Sequence, residues 1–183
     1  MSCCSTLFPT ILDISKIEAG MIDLVMGRVD CTHLPGSDCS FSHKKRDTAV
    51  ELRFDENSPQ IVIDADKNRI VQVLSNFLTN ALKFTTKGSI TLSYLLEDES
   101  QVRFCVTDTG KGIPDEQKHE IFNRFVKLDS FVQGAGLGLS ICQSLVNRMG
   151  GKIGVESVRG KGRASGSLIR MFPVLNQKKE IAY

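Results

Sequence analysis

The sequence predicts an α/β (α+β) two-layer sandwich, in which a mixed, mostly antiparallel sheet of about five strands is covered on one face by three helices. Two patterns favour this fold class: strand-like segments occur in hairpins, and helix-like segments lie between them. The length of 183 residues suits one domain with a full core. We expect a short N-terminal appendage at residues 1–26, the main domain at 27–175 and a polar, frayed tail at 176–183.

The first quarter of the chain carries the weakest signals. Residues 10–20 have the pattern of a helix end, and the Ser- and Asp-rich stretch at 27–48 is irregular, with room for one short helix. Strands are expected at 50–54, where apolar and polar residues alternate, and at 60–64.

A long amphipathic helix is predicted over residues 66–84, with Asp66 as its N-cap. Its apolar stripe has helical spacing and consists of Ile70, Val73, Leu74, Phe77, Leu78 and Ala81. Strands at 89–96 and 101–107 come next, and the acidic turn at 97–100 between them predicts a hairpin.

Two further helices and two strands complete the predicted sandwich. The helices are expected at residues 115–125 and 137–149, the second closed by the glycine pair at 150–151, since glycine takes the positive φ that ends many helices. The strands are expected at 152–157 and 168–173.

Charge and cysteine content argue against several classes of protein. Lys and Arg number 23 and Asp and Glu 21, and the resulting net charge of +2 is too small to argue for nucleic-acid binding. The six cysteines form no Cys-x-x-Cys pairs, which predicts reduced thiols in a cytoplasmic protein. No apolar run has transmembrane length, and the first residues lack the features of a signal peptide.

Two glycine clusters flank one lid-sized segment: Asp-Thr-Gly-Lys-Gly-Ile at 108–113 and Gly-Ala-Gly-Leu-Gly-Leu at 134–139. The second runs into a predicted helix, whose N-terminus carries partial positive charge, and glycine lets backbone N–H groups approach an anion. This arrangement predicts a phosphate site for a nucleotide. The pattern does not indicate a dinucleotide-binding site, because the cluster opens no βαβ unit. The alternative to a phosphate site is a tight strand-to-helix turn without a ligand.

A file of polar residues runs along the helix predicted at 66–84. Gln72, Asn76 and Asn80 recur at intervals of four, and Lys83 lies one turn below Asn80. Neutral oxygen and amide groups suit a hydrated divalent cation and a purine edge, because Mg²⁺ takes only one or two protein oxygens beside phosphate and water. The alternative is an ordinary solvated helix face.

Four segments carry a family pattern in order and spacing. They are Asn-x-x-x-Asn-Ala-x-Lys-Phe-Thr from Asn76, Asp-x-Gly-x-Gly-Ile-Pro from Asp108, Ile-Phe-x-x-Phe from Ile121 and Gly-x-Gly-Leu-Gly-Leu-Ser from Gly134. They resemble the N, G1, F and G2 boxes of the catalytic domain of sensor histidine kinases, which has a Bergerat-type ATP-binding fold. The resemblance covers residues 50–173, and residues 11–20 are similar to the end of the dimerisation and phosphoacceptor domain that precedes it in that family.

The resemblance implies ATP and Mg²⁺ as ligands. Asn76 would bind Mg²⁺, Asn80 would lie along the adenine and phosphates, and Lys83 would neutralise phosphate charge. Asp108 would accept the exocyclic N–H of adenine, although an aspartate opening an Asx-turn is the alternative. Lys127 would reach the γ-phosphate unless it is an ordinary solvated lysine. The other implied ATP-binding positions are Gly110, Gly112, Ile113, Phe122, Gly134, Gly136, Leu137, Gly138 and Leu139, and Phe122 with Phe125 would anchor the lid unless both are plain core residues.

Three departures from the family pattern bear on activity. Gln72 stands where the gyrase- and chaperone-type ATPases carry a water-activating glutamate, and an amide cannot act as a general base. Ala135 replaces a common threonine, and the segment at 160–173 has extra residues and two arginines before the last strand. Two alternatives stay open. One is an ATP-driven conformational module, against which Gln72 and the very short lid argue. The other is a degenerate domain kept for binding without kinase activity, which Ala135 and the altered segment at 160–173 motivate.

The three histidines His33, His43 and His119 match no phosphoacceptor motif. The resemblance therefore implies a protein histidine kinase domain that phosphorylates a histidine on a separate phosphoacceptor and dimerisation domain of the same receptor. A response regulator or fused receiver domain would be the further partner, with no nucleic acid. We expect a homodimeric full-length protein, the present chain being its cytoplasmic portion and, alone, a monomer or weak dimer.

Overall fold

The strands form two sheets in the computed structural model, which describes residues 23–34, 49–55, 59–98, 101–127, 135–157 and 165–169. The elements in chain order are β1 (Gly27–Asp30), β2 (Val50–Phe54), β3 (Val62–Ala65), α1 (Lys67–Phe84), β4 (Gly88–Asp98), β5 (Gln101–Asp108), α2 (Gly138–Arg148) and β6 (Ser165–Ile169). The strands β1 and β3 pair antiparallel, and the larger sheet has the order β2-β4-β5-β6.

The larger sheet is mixed and mostly antiparallel, as predicted. The hairpin β4-β5 lies at its centre, with Ile90 opposite Asp108, and β6 pairs antiparallel with β5. Only β2 runs parallel to its neighbour β4. The register places Asp108 at the end of the sheet, where β5 leaves it for the first glycine cluster.

Helix α1 begins where the sequence predicts, because Asp66 caps it. One carboxylate oxygen, Oδ1, accepts from the backbone N–H groups of Asn68 at 3.0 Å and Arg69 at 3.2 Å. The other, Oδ2, accepts from the backbone N–H of Val25 at 2.9 Å, so the buried Asp66 side chain also holds the segment ahead of β1. The six predicted stripe residues of α1 are all buried.

The core lies between one face of the sheets and the two α-helices. Alternate residues of β4 and β5 point into it, and Tyr94 contacts the rings of Phe54 and Phe104 with centroids 6.0 and 5.8 Å apart. Full burial of each such side chain contributes about 1.5–3 kcal/mol. The residues of the hairpin in this cluster are Ile90, Leu92, Tyr94, Val102, Phe104 and Val106.

Helix α2 ends at the predicted glycine pair. Gly150 has φ +77°, and the N–H of Gly151 donates to the carbonyl of Val146 at 2.9 Å. The positive φ explains why glycine follows this helix.

The helix predicted at 115–125 is wrong. The structure has a single 3-10 turn at Asp115–Gln117, followed by irregular turns. Only Ile121 of the expected apolar face is buried, and Phe125 takes φ +63°, which no helix allows. The described residues therefore contain two α-helices, α1 and α2, in place of the three that were predicted for the layer.

Two strand predictions also need correction. Residues 152–157 form no strand with the other described residues, and β6 begins at Ser165, three residues before the predicted start. The four-residue β1, whose only buried side chain is Val29, was predicted as irregular. The helix predicted at 10–20, residues 128–134 of the lid predicted at 126–134, and the tail at 176–183 lie outside the described residues.

Cys31, Cys105 and Cys142 are buried and form no disulfide, and burial raises the pKa of Cys31 and of Cys142 to about 12. Their chemistry is that of inert core residues. Within the described ranges, no helix is long and apolar enough to cross a membrane.

Candidate functional site

Two amides of the polar file on α1 are joined to each other. The Nδ2 of Asn80 donates to the Oδ1 of Asn76 at 2.9 Å, and both side chains are half-buried. Gln72 belongs to the same file, but its Oε1 accepts from the guanidinium of Arg69 at 2.9 Å. The two asparagines therefore form the polar centre of the helix face.

The second glycine cluster contacts this polar centre. Gly138 is the first residue of α2, and a Cβ at this position would lie 2.5 Å from the Nδ2 and 2.9 Å from the Oδ1 of Asn76. Only glycine fits here without displacing the amide. The contact places the positive end of the α2 dipole beside the oxygen of Asn76.

Gly136 contacts the start of the predicted lid. It has φ +71°, and a Cβ would lie 2.8 Å from the carbonyl carbon of Phe125 and 2.8 Å from the carbonyl oxygen of Val126. The N–H of Phe125 donates to the carbonyl of Gly136 at 2.9 Å. The second glycine cluster thus touches α1 on one side and residues 125–126 on the other.

Asp108 provides a buried carboxylate at the end of β5. It is 8% exposed, and its Oδ1 accepts from the N–H of Gly110 at 2.9 Å. Burial raises the pKa of Asp108, and the Gly110 N–H and the nearby Thr85 hydroxyl oppose that shift only in part. The Thr85 hydroxyl is buried close enough to this carboxylate to affect its pKa, but within the described residues it makes no hydrogen bond of good geometry. The pair offers an acceptor and an unused hydroxyl, which fits the edge of a heteroaromatic base.

The first glycine cluster packs on the C-terminal end of α1. A Cβ at Gly110 would lie 2.6 Å from the carbonyl oxygen of Phe84, and the Nζ of Lys111 lies 5.0 Å from the centroid of the Phe84 ring. Glycine at 110 is therefore required by a close approach of two backbones. Both glycine clusters touch α1, one at its middle and one at its end.

Ser157 is a site residue that the sequence analysis missed. Its buried hydroxyl accepts from the N–H of Ile113 at 2.8 Å, directly after Gly112, which has φ +71°. No local pattern marks this serine, because the partner lies 44 residues earlier in the chain.

The remaining predicted residues differ in how far they are exposed to solvent. Lys83 and Lys127 are exposed, and Phe122 is half-buried. Phe125 is 73% exposed, so it is no core residue. Leu137 is buried, Leu139 is half-buried, and Gly134 lies outside the described residues.

The fold and this site together define a nucleotide-binding domain of the Bergerat type, with an amide file on one helix, a buried carboxylate and two glycine clusters. The chain belongs to the family described as histidine kinase-, DNA gyrase B-, and HSP90-like ATPase, whose family model matches residues 65–174.

Several histidine kinases are similar to this chain over most of its length. It is 37% identical over 169 residues to hybrid signal transduction histidine kinase B of Dictyostelium discoideum, covering 85% of this chain but 8% of that protein. The structure of full-length ShkA in complex with AMPPNP matches with a TM-score of 0.78 and 34% identity over 91% of this chain and 35% of that chain. The catalytic domain of histidine kinase ThkA, in a nucleotide-free form, matches with a TM-score of 0.66 and 30% identity, covering 81% of this chain and 97% of that one.

Proposed function

We propose that residues 27–175 are the ATP-binding catalytic domain of a sensor histidine kinase, and that it transfers the γ-phosphoryl group of ATP to a histidine on a separate phosphoacceptor domain. The observation that carries this proposal is the contact of Gly138 with Asn76, which sets a helix N-terminus beside a side-chain amide oxygen. In this proposal residues 1–26 are the end of the phosphoacceptor domain and 176–183 a tail.

The base of ATP would bind at the buried end of β5. The carboxylate of Asp108 accepts the exocyclic N–H of adenine, and the unused Thr85 hydroxyl supplies a second polar contact. Gly110 and Gly112 let the loop pass close to the ring. A buried carboxylate that gains a donor recovers part of its lost hydration, which makes the base contact selective.

The triphosphate would lie between α1 and the start of α2. Asn76 keeps one lone pair of Oδ1 free beside the bond from Asn80, which suits a single protein oxygen on Mg²⁺. Bound Mg²⁺ neutralises triphosphate charge. The N–H groups at residues 136–139 bind phosphate oxygens, and Lys83 and Lys127 add positive charge.

The acceptor of the phosphoryl group would be a histidine and not water. Gln72 cannot act as a general base, and its oxygen is engaged by Arg69. Positioning and charge neutralisation then do most of the catalysis. A response regulator or fused receiver domain would be the next partner, which the word hybrid in the name of one relative supports. The full-length protein would be a homodimer, with this domain in its cytoplasmic portion.

Calorimetric titration with ATP, with and without Mg²⁺, tests the site. We expect micromolar-range binding that Asp108→Asn weakens about 10- to 100-fold, since a hydrogen bond to a charged group is worth about 1.5–3 kcal/mol. Asn76→Ala should remove the Mg²⁺ dependence. A wild-type chain that binds no nucleotide would instead support the degenerate domain, which Ala135 and the atypical segment at 160–173 favour. A substantial ATPase rate would favour the conformational module.

A further inference from the structure

We propose that Ser157 is a positioning residue for the nucleotide base: its hydroxyl holds the loop at residues 108–113 in the shape that receives the ring. This inference rests on the proposed ATP site and adds a residue to it from a different part of the chain.

The hydrogen bond between Ile113 and Ser157 joins two distant segments. Ser157 is 7% exposed, and its Oγ accepts the N–H of Ile113 at 2.8 Å. Ile113 is half-buried, and a backbone N–H shielded from water that loses its acceptor costs free energy, so this bond restrains the end of the loop.

The loop is also fixed near its beginning, by hydrogen bonds within the loop and to the adjacent strand. The N–H of Thr109 donates to the carbonyl of Ser89 at 3.1 Å, and the N–H of Ser89 donates to the Thr109 hydroxyl at 2.9 Å. The N–H of Gly110 donates to Asp108. These bonds come from the loop itself and the neighbouring strand β4. The bond to Ser157 restrains the chain directly after the turn at Gly112.

Ser157 lies on the segment that follows α2, the helix whose first residue contacts Asn76. Its bond to Ile113 therefore ties the first glycine cluster to the segment that leaves α2. A loop that is ordered before binding loses less conformational entropy when the ligand arrives. Removal of the hydroxyl should lower the affinity for ligands that carry the base and leave the phosphate contacts at 136–139 unchanged.

The test is calorimetric titration of the whole chain with ATP and, separately, with inorganic tripolyphosphate, both with Mg²⁺. For Ser157→Ala we expect an ATP affinity about five- to tenfold lower, as for the loss of one hydrogen bond, with tripolyphosphate affinity unchanged. Ser157→Thr keeps a hydroxyl and should restore ATP binding. The matched control is Ser144→Ala, which removes a half-buried hydroxyl bonded to the carbonyl of Ser140 within α2 and should leave both affinities unchanged.

Two results would overturn the inference: unchanged ATP affinity in Ser157→Ala, or equal weakening of ATP and tripolyphosphate. Amide hydrogen exchange of the wild type gives an independent readout that needs no variant. The N–H of Ile113 should exchange slowly, and fast exchange would contradict the proposed restraint. If the wild type binds no ATP, the proposed function itself is contradicted. If the wild type binds ATP and Ser157→Ala binds it equally well, only this inference is contradicted.

Discussion

The backbone of Gly138 at the start of α2 lies against the side-chain amide of Asn76 on α1. The amide is the end of a rotatable side chain, and the helix start is fixed. Any side chain at position 138 would therefore move Asn76 rather than the backbone.

This relationship predicts the effect of Gly138→Ala. The added methyl group would lie 2.5 Å from the Nδ2 of Asn76 and force the amide to rotate, which breaks its bond from Asn80. We expect Mg²⁺-dependent ATP affinity to fall at least tenfold, by about 1.4 kcal/mol or more. Calorimetry measures this loss. Gly154→Ala is the matched control, because a Cβ there meets nothing within 4 Å. Equal affinities for the two variants would contradict the steric argument.

Asp108→Asn should separate stability from binding. Burial raises the pKa of Asp108, so the ionised carboxylate destabilises the nucleotide-free fold at neutral pH. The amide removes that charge. We therefore expect Asp108→Asn to unfold at an equal or higher urea concentration than the wild type at pH 7, although it binds ATP more weakly.

The same pair of proteins predicts a pH dependence. Because the folded-state pKa of Asp108 lies above the unfolded value, its favourable contribution is full below the unfolded pKa and is lost as pH rises through the folded pKa. Urea unfolding from pH 4 to pH 7 should show the wild type losing free energy of unfolding relative to Asp108→Asn. A constant difference across this range would contradict a raised pKa.

Phe125→Asn tests the backbone conformation at the start of the lid. Phe125 combines φ +63° with 73% exposure, so its side chain buries little while its backbone is strained. Asparagine tolerates this conformation better, and the strain amounts to about 1 kcal/mol. We expect Phe125→Asn to match the wild type or exceed it by up to that amount in urea unfolding. The half-buried Phe122, changed to Asn, should destabilise the fold.

Asp66→Ser tests the double role of the Asp66 carboxylate. Serine can cap α1, but its single oxygen cannot also reach the N–H of Val25. We expect Asp66→Ala to lose about 2–3 kcal/mol, for the cap and the second bond, and Asp66→Ser about 1 kcal/mol. Urea unfolding gives both values. An Asp66→Ser variant as stable as the wild type would show that the bond to Val25 contributes nothing, and equal losses in the two variants would show that serine does not replace the cap.

The sequence predicted elements whose signals are local. Helix α1 has a cap, a stripe of apolar residues and a length of five turns, and it was located to within one residue. The hairpin of β4 and β5 was also predicted, because two alternating segments flank an acidic turn. Each of these signals lies within about 20 residues of chain.

What the sequence could not predict depends on distant partners. Strand β1 exists because it pairs with β3, more than 30 residues later. The end of the helix expected at 115–125 does not form, since Phe125 donates its N–H to the distant Gly136 and not to a carbonyl one turn earlier. The same limit hid Ser157. Motif spacing predicted which asparagines and glycines belong to the site. Their contact between α1 and α2 is visible only in the folded structure.

The bond between Asp66 and Val25 has a mechanical consequence. One carboxylate oxygen of Asp66 accepts a hydrogen bond from Val25, ahead of β1, and the other accepts from the first turn of α1. A pull or twist on the residues before Val25 would reach the axis of α1 directly, and not only through β1 and its pairing with β3. The helix that carries Asn76 is thereby linked directly to the backbone at Val25.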